Sequence, residues 1–458
     1  MTGILSRIRS ILTFCIAIIF LSNLFIKSNL IQDINLVIMI LVIALSFTVI
    51  SGTTLAIGVM TFSLSAFLFL YYNAPLSVWQ EALQENIYLV VMFTLVPLLG
   101  IPIQHGGYTE ALQGVFKRYV YNNSRFYLMV SLTSAFVGVL VNLAVVPLVL
   151  QISKASGISS NKKLLSAAIA RGFATCTIWA PTTAAIALII QLSEASWLLF
   201  FPYGILCGVI AGFVGYVMTM YEEKRGSNAY TTVEKESVEE YDVGKVAELC
   251  IFSIILILAI AIVSFLTGIH TVIVVSMVCL LYPVLWLGTI GRFQVLITEF
   301  MGNYFKVSLP KVKNEIILFV GAGLFATSIN YSQLGTNISK FLSLLVGQNA
   351  LLLAVVVILF ILLLSALGIH PIISVTIIGG TVTASTYGVT STYLALILAI
   401  GWAMGVSISP SSATVIAISG LTGQSPLHVG PRWNGLYALV ASTVMIVILT
   451  IFRSFGLL

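Results

Sequence analysis

The chain has 458 residues, of which 59% are hydrophobic and 8% are charged, whereas about 25% of the residues in an average soluble domain are charged. This composition excludes a soluble protein and also excludes disordered, collagen-like and nucleic-acid-binding classes. The mean hydropathy is +1.10, and a membrane-spanning helix needs roughly 20 apolar residues. The sequence therefore predicts an all-α polytopic membrane protein. The net charge of +6 is explained if lysine and arginine residues collect in cytoplasmic loops.

The first apolar run, 11–26, follows Arg7 and Arg9 and has the outline of a signal peptide. No small-residue cleavage site ends it, because residues 24–27 are Leu-Phe-Ile-Lys. We therefore expect residues 1–30 to form an additional span that is retained.

Thirteen apolar segments follow one another along the chain. Two of them, 126–151 and 348–380, are predicted to be re-entrant hairpins, which enter and leave the membrane on the same side. The others are predicted to be transmembrane helices, about 11 in all. Their expected bounds are 10–26, 34–50, 53–71, 86–104, 164–192, 197–220, 246–267, 270–288, 315–333, 388–420 and 433–452.

The distribution of positive charge predicts the orientation. If both hairpins are re-entrant and the N-terminus is cytoplasmic, most of the 21 lysine and arginine residues face the cytoplasm. Treating either hairpin as a crossing would place a basic cluster on the opposite side. We therefore expect a multi-pass protein of the cytoplasmic membrane whose C-terminus lies outside.

The one extended polar stretch, 222–245, carries charges of both signs and lies at the middle of the chain. It is predicted to be a cytoplasmic linker between a first repeat, 31–221, and a second repeat, 246–458.

An offset of 229 residues supports this duplication, because it aligns 172–202 with 401–431 without a gap. Apolar composition alone does not produce matched prolines, glycines and hydroxyl residues in one register. Each repeat has an odd number of crossings, so the two copies are predicted to be inverted in the membrane. The matched pairs include Gly172/Gly401, Pro181/Pro410, Ser196/Ser425 and Pro202/Pro431.

Segments 164–192 and 388–420 are longer than a span requires, and each is interrupted by a proline. In the second segment, Ser409 is predicted to cap a new helix that starts at Pro410. The first segment repeats the pattern around Pro181 without a capping hydroxyl. A helix broken inside the membrane exposes backbone N–H and C=O groups that can hold an anion or a cation. The alternative is a proline kink whose hydroxyls bond to preceding carbonyls.

Three polar residues inside apolar segments admit two interpretations each. Asn142 is expected at the tip of the first hairpin, where it either contacts a ligand or joins two helices. His370 is expected at the tip of the second hairpin, where it is either a ligand contact or a buried histidine with internal partners. Arg171 either extends to the cytoplasmic surface or attracts anions toward the cavity.

Other chemistry is poorly represented. All 15 aspartate and glutamate residues can be placed in loops or at the ends of spans, so no intramembrane carboxylate relay is predicted. The five cysteines show no paired spacing, and no metal cluster, phosphate loop or nucleophilic triad is recognisable. We therefore do not expect an enzyme, a cofactor or a nucleic-acid partner.

The order of span, interfacial helix, re-entrant hairpin, proline-broken helix and closing span, present twice, resembles the ion transporter superfamily. That group includes divalent-anion/sodium symporters, arsenite and citrate carriers and the large membrane subunits of TRAP transporters. The resemblance implies that the hairpin tips and helix breaks form the site, that part of each half moves as an elevator, and that the scaffold is a homodimer. It implies a substrate site at Asn142, Thr182, Thr183, His370, Ser411, Ser412 and Thr414, helix breaks at Pro181 and Pro410, and a sodium site near Asn142 and Gly368.

The function predicted from these features is secondary active transport of a small anionic solute, a carboxylate or an oxyanion, coupled to a sodium ion or a proton. A cation/proton antiporter on the same scaffold is an alternative, and it would need His370 as its titratable group. A lipid-handling membrane protein is a further alternative, although the acidic or metal-binding residues that it would need are not recognisable in the sequence.

Overall fold

The computed structural model describes residues 2–225 and 242–458. Within these ranges the chain is built from α-helices joined by short 3₁₀-helical and π-helical segments, which confirms the all-α prediction. The first half contains α1 (Thr2–Ile26), α2 (Asn29–Phe47), α3 (Gly52–Tyr71), α4 (Leu76–Gln84), α5 (Ile87–Leu95), α6 (Gly100–His105), α7 (Tyr108–Tyr119), α8 (Asn123–Val141), α9 (Val145–Ser153), α10 (Lys162–Cys176), α11 (Ala184–Leu192) and α12 (Trp197–Arg225).

The second half continues with eleven further α-helices. They are α13 (Val243–Thr267), α14 (Thr271–Thr289), α15 (Phe293–Glu299), α16 (Leu309–Lys311), α17 (Lys313–Tyr331), α18 (Leu334–Val346), α19 (Ala350–Ala366), α20 (Pro371–Thr381), α21 (Ser391–Ile408), α22 (Ala413–Thr422) and α23 (Trp433–Ser454). The π-helical segments are Phe300–Ser308 and His428–Arg432.

In the described part of the chain, ten helices are long and apolar enough to cross a membrane, or up to 11 if one bent pair counts as a span. This number agrees with the prediction, but the segments that qualify as spans are not all the predicted ones. The predicted first hairpin, 126–151, lies within Asn123–Ser153, which qualifies by length and composition as a single candidate span. The predicted crossing at 164–192 does not qualify, because its two halves have 15 and 9 residues.

The predicted linker is shorter than expected at both ends, because α12 continues to Arg225 and α13 begins at Val243. Residues 226–241 lie outside the described residues.

The helices group into two compact units. Unit 1 comprises Met1–His105, Ile255–Phe341 and Gly380–Val382, and unit 2 comprises Gly106–Ile254, Leu342–Gly379 and Thr383–Leu458. Each unit contains helices from both predicted repeats, so the boundaries of the compact units do not coincide with those of the sequence repeats.

Unit 1 is held together by helix packing and by bonds from polar side chains to backbone carbonyls. Helix α17 packs against α3, and the Asn86 side chain donates from Nδ2 to the carbonyl of Phe319 at 2.8 Å. The Tyr304 hydroxyl donates to the carbonyl of Thr94 at 2.7 Å. The second bond satisfies a carbonyl in the last turn of α5, where a helix end leaves carbonyls free.

Unit 2 has helix α21 at its centre, where every residue from Tyr393 to Ile408 is buried. Helix α10 packs against α8, and Gly172 lies so close to the backbone of Ser131 that a side chain would collide there. Small residues allow such close helix approach in membrane proteins, where dispersion replaces the hydrophobic effect as the main attraction. All the predicted site residues belong to unit 2.

Candidate functional site

Two turns with the same geometry interrupt the two long segments of unit 2. In the first, the N–H of Thr183 donates to the carbonyl of Ala180 at 3.1 Å, and in the second the N–H of Ser412 donates to the carbonyl of Ser409 at 3.1 Å. Proline is the second residue of each turn, a position that its fixed φ favours. A new helix starts directly afterwards, at Ala184 and at Ala413, and these starts are separated by the 229-residue offset of the sequence alignment.

The predicted cap of the second half-helix is wrong by three residues. The N-cap of α22 is Ser412, whose Oγ accepts a hydrogen bond from the N–H of Val415 at 3.2 Å. Pro410 lies in the preceding turn and is not the first helical residue. The reason is that proline fits the second position of a turn as well as the first position of a helix, and here the turn forms.

The two broken segments contact each other inside unit 2. Helix α10 packs against both α21 and α22, and α11 packs against α21. Each half-helix therefore contacts the opposite broken segment. Among the described residues, no hydrogen bond joins the side chains of Thr182 or Thr183 to those of Ser411 or Ser412.

The first predicted hairpin tip contacts the first break. Helix α8 ends at Asn142, which adopts a positive φ of 52° and is partly buried. The hydroxyl of Thr182 donates to the carbonyl of Val139 in the last turn of α8. This bond satisfies one of the carbonyls that a helix end leaves free, so Thr182 joins the break to the hairpin.

The second predicted hairpin tip lies beside the second break. Helix α19 ends in a turn at Gly368, whose φ of 94° is left-handed, and the N–H of Ile369 donates to the carbonyl of Leu364 at 2.9 Å. This is a Schellman motif, which requires glycine at that position. A Cβ atom at Gly368 would lie 3.8 Å from Cγ of Pro410, so the tip and the break are neighbours.

The two breaks differ in exposure. In the first, Pro181, Thr182 and Thr183 are all buried. In the second, Pro410 and Ser411 are partly exposed, and Ala413 is exposed. The second break is therefore the accessible one.

The hydroxyls of the second break have defined roles. Oγ of Ser411 lies 3.0 Å from Oγ of Ser409. The Ser412 hydroxyl donates to the carbonyl of Val406 at 2.8 Å while it caps α22. Thr414 is buried in the first turn of α22, at 3% exposure. Among these residues Ser411 is the one whose partial exposure lets a solute reach its hydroxyl.

Arg171 does not extend to the surface, so the surface interpretation is wrong: the residue is 4% exposed. Its Nε donates to Oδ1 of Asn434 at 2.9 Å, and Nη2 donates to the carbonyl of Trp433 at 3.0 Å. The guanidinium carbon lies 4.8 Å from the ring centroid of Tyr437. In the described part of unit 2, Arg171 is the one buried residue with a charged side chain. Its hydrogen-bond partners, Asn434 and Trp433, are neutral.

Sequence reasoning missed several residues that shape the site. Asn434 orients Arg171 and donates from Nδ2 to the carbonyl of Val429 at 2.7 Å. A Cβ atom at Gly430 would lie 2.5 Å from the carbonyl oxygen of Ile408, so this glycine lets a π-helical segment approach the second break. The polar Asn434 at the start of an apolar segment was a usable signal. Gly430 had none.

Comparison with solved structures supports a transporter fold. The YdaH transporter of Alcanivorax borkumensis, whose crystal structure is described as having an unusual topology, matches with a TM-score of 0.54 and 15% identity over 82% of this chain and 87% of that chain. MtrF of Neisseria gonorrhoeae, described among antimetabolite efflux pumps, matches with a TM-score of 0.47 and 13% identity over 78% of this chain and 80% of that chain. No protein-family model and no curated protein sequence matches the chain.

The chain is thus a multi-pass membrane protein with the fold of a known transporter structure. The narrower resemblance to the ion transporter superfamily stays a prediction.

Proposed function

We propose that the chain is a secondary active transporter that moves a small anionic solute, a carboxylate or an oxyanion, across the cytoplasmic membrane. The observation that carries the proposal is the pair of half-helices, α11 and α22, each of which starts directly after a proline turn, in two broken segments of unit 2 that contact each other. The N-terminus of a helix presents free N–H groups and a partial positive charge, which favour an anion.

The charge of unit 2 supports an anion over a cation. The buried charged side chain in its described part is the positive Arg171, and its partners are the neutral Asn434 and Trp433. A buried charge without a carboxylate partner leaves a positive potential in its surroundings, because the low dielectric screens it weakly. An anionic solute would lower the energy of this arrangement.

A co-transported cation would offset the charge of the solute, and we propose sodium near Asn142 and Gly368. Both residues have a positive φ at the end of a helix, and a backbone carbonyl there has two lone pairs, so it can contact a cation besides accepting a hydrogen bond. Carbonyl and hydroxyl oxygens are suitable ligands for a hard cation. Elevator-type movement and a homodimeric scaffold belong to the same proposal.

A proton antiporter is less well supported, because His370 already accepts a hydrogen bond from the backbone. Its Nδ1 accepts from the N–H of Ile372 at 3.2 Å. Protonation at that nitrogen would remove the acceptor and place a positive charge at a helix N-terminus, which is unfavourable.

Ligand binding followed by flux tests the proposal. Purified protein is heated with sodium succinate, benzoate, phosphate or sulfate, since a ligand that binds the folded form raises its apparent stability. The stabilising anion is then tested for uptake into proteoliposomes with and without a sodium gradient. We expect gradient-driven uptake. No stabilisation and no uptake by any carboxylate or oxyanion would reject an anion transporter, and uptake driven by a pH gradient alone would reject sodium coupling.

A further inference from the structure

The second hairpin tip fixes the tautomer of His370. Helix α20 starts at Pro371, which has no backbone N–H, and the next N–H, that of Ile372, donates to Nδ1 of His370 at 3.2 Å. His370 therefore occupies the N-cap position, which serine, threonine, asparagine or aspartate usually fills. A ring nitrogen that accepts carries no hydrogen, so this bond assigns the hydrogen of the neutral imidazole to Nε2.

The Nε2–H group of His370 is available to a ligand. In the described part of the chain, His370 makes its one hydrogen bond through Nδ1. Its Nε2 atom does not occur among the fully buried polar atoms that lack a hydrogen-bond partner. The residue is partly exposed. A donor that the protein itself does not use can bond to water or to a solute.

The residues around His370 indicate which kind of solute group its Nε2–H would contact. The imidazole stands edge-on to the indole of Trp402, at 6.1 Å between ring centroids, and Gly368 of the same tip neighbours Pro410 of the accessible break. No lysine, arginine, aspartate or glutamate occurs between Lys340 and Arg432. A neutral N–H donor at a helix start therefore replaces the charged side chain that an anion site usually contains.

We propose that His370 determines the specificity of the site by donating from Nε2 to an oxygen atom of an anionic solute. This inference rests on the proposed function and narrows it to solutes that present a hydrogen-bond acceptor, a carboxylate or an oxyanion, at the second hairpin tip. Metal cations and protonated amines lack such an acceptor, so the site discriminates against them. Uptake of a proton at Nδ1 would remove the cap of α20, so His370 acts as a fixed donor.

Variants separate the donor from the cap. His370→Asn and His370→Asp both keep an acceptor oxygen at a position that these residues favour, but they remove the N–H at the Nε2 position. The amide N–H of asparagine would lie at the place of ring Cδ2, nearer the backbone, when its oxygen takes the place of Nδ1. Asn349→Ala is the matched control, because Asn349 caps the preceding helix, α19, by accepting from the N–H of Leu352 at 3.0 Å. Each protein is heated with increasing succinate, benzoate, phosphate or sulfate, and the dissociation constant is taken from the rise in melting temperature.

We expect His370→Asn to melt at the wild-type temperature without anions and to bind the stabilising anion about tenfold to a hundredfold more weakly, as the loss of one hydrogen bond to a charged group predicts. His370→Asp should bind more weakly still, because its carboxylate repels the anion. Asn349→Ala should melt earlier and keep the wild-type dissociation constant. Unchanged binding by His370→Asn would overturn this inference alone, and wild-type protein that binds none of the four anions would overturn it together with the proposed function.

Discussion

The two helix breaks have the same backbone geometry but differ in the hydrogen bonds and the exposure of their side chains. Both are proline turns followed at once by a helix. In the first break Thr182 donates to the hairpin carbonyl of Val139 and the turn is buried. In the second break Ser411, at the position that aligns with Thr182, bonds to Ser409 and stays partly exposed. The first turn is therefore buried and bonded to the hairpin, and the second turn is partly exposed.

This difference shows how a duplicated element can divide two tasks. A turn whose hydroxyl is used inside the protein adds rigidity, whereas the same turn with an accessible hydroxyl can bind a solute. The Ser412 side chain caps α22, whereas the aligned Thr183 makes no side-chain cap bond, so the proposed function assigns ligand contact to Ser411. The comparison predicts that changes at the second break affect transport and that changes at the first affect stability.

The largest expected effect is that of Gly430→Ala. The added Cβ would lie 2.5 Å from the carbonyl oxygen of Ile408, a backbone atom that moves only with the break itself. We expect uptake of the stabilising anion into proteoliposomes to fall more than about tenfold, which equals about 1.4 kcal/mol. Gly420→Ala is the control, since no atom lies within 4 Å of its added Cβ. Equal uptake by both variants would show that the contact at Ile408 is not required.

Pro410→Ala should have the next largest effect. Alanine allows the turn from Ser409 to Ser412 to become helical, and a continuous helix would bond the N–H groups that the open break leaves for the solute. We expect about tenfold lower affinity for the anion, a change of about 1.4 kcal/mol, without a lower melting temperature. Pro181→Ala should change affinity less, because Thr182 also holds the first turn. The reverse order would assign the solute to the first break.

Thr182→Val tests the hydrogen bond between the first break and the hairpin. Valine has nearly the same shape but cannot donate to Val139, so the helix-end carbonyl loses its partner. We expect a loss of about 0.6 to 1.7 kcal/mol in the free energy of unfolding, measured by thermal or denaturant unfolding in detergent. Thr183→Val is the matched control, because the Thr183 hydroxyl bonds locally to Ala180 at 2.8 Å. Unchanged stability of Thr182→Val would show that the hairpin is held by other contacts.

Ser411→Ala and Ser412→Ala should have the smallest and most distinct effects. Ser411→Ala removes an accessible hydroxyl, and we expect weaker anion binding, by about fivefold for one neutral hydrogen bond, at unchanged stability. Ser412→Ala removes a helix cap, and we expect about 1 kcal/mol of lost stability. Melting curves with and without the anion measure both quantities. Wild-type binding by Ser411→Ala would remove this residue from the site.

Much of the fold could be predicted because its signals are local. Apolar length predicted α2, α3, α13 and α23 to within a few residues, and the prolines at 181 and 410 marked both interruptions. The start of α22 was misplaced because Pro410 suits a turn and a helix start equally well. The bond that Ser412 forms with Val415 decides between them.

Other features depended on residues that are far apart in sequence. The sequence could not show that Arg171 stays buried, because its partners Asn434 and Trp433 lie 263 and 262 positions away. Nor could it show that Thr182 bonds to the hairpin or that Gly430 approaches Ile408.

The sequence by itself determined that the chain is a helical membrane protein with two similar halves, each with a proline-broken segment. Hydropathy, proline and glycine act on neighbouring residues, so their consequences can be read along the chain. Only the tertiary structure decided that one break is buried and the other accessible, and that His370 caps a helix with one nitrogen while it leaves the other free. These outcomes depend on which backbone carbonyls and side chains meet across helices, and packing in three dimensions determines that.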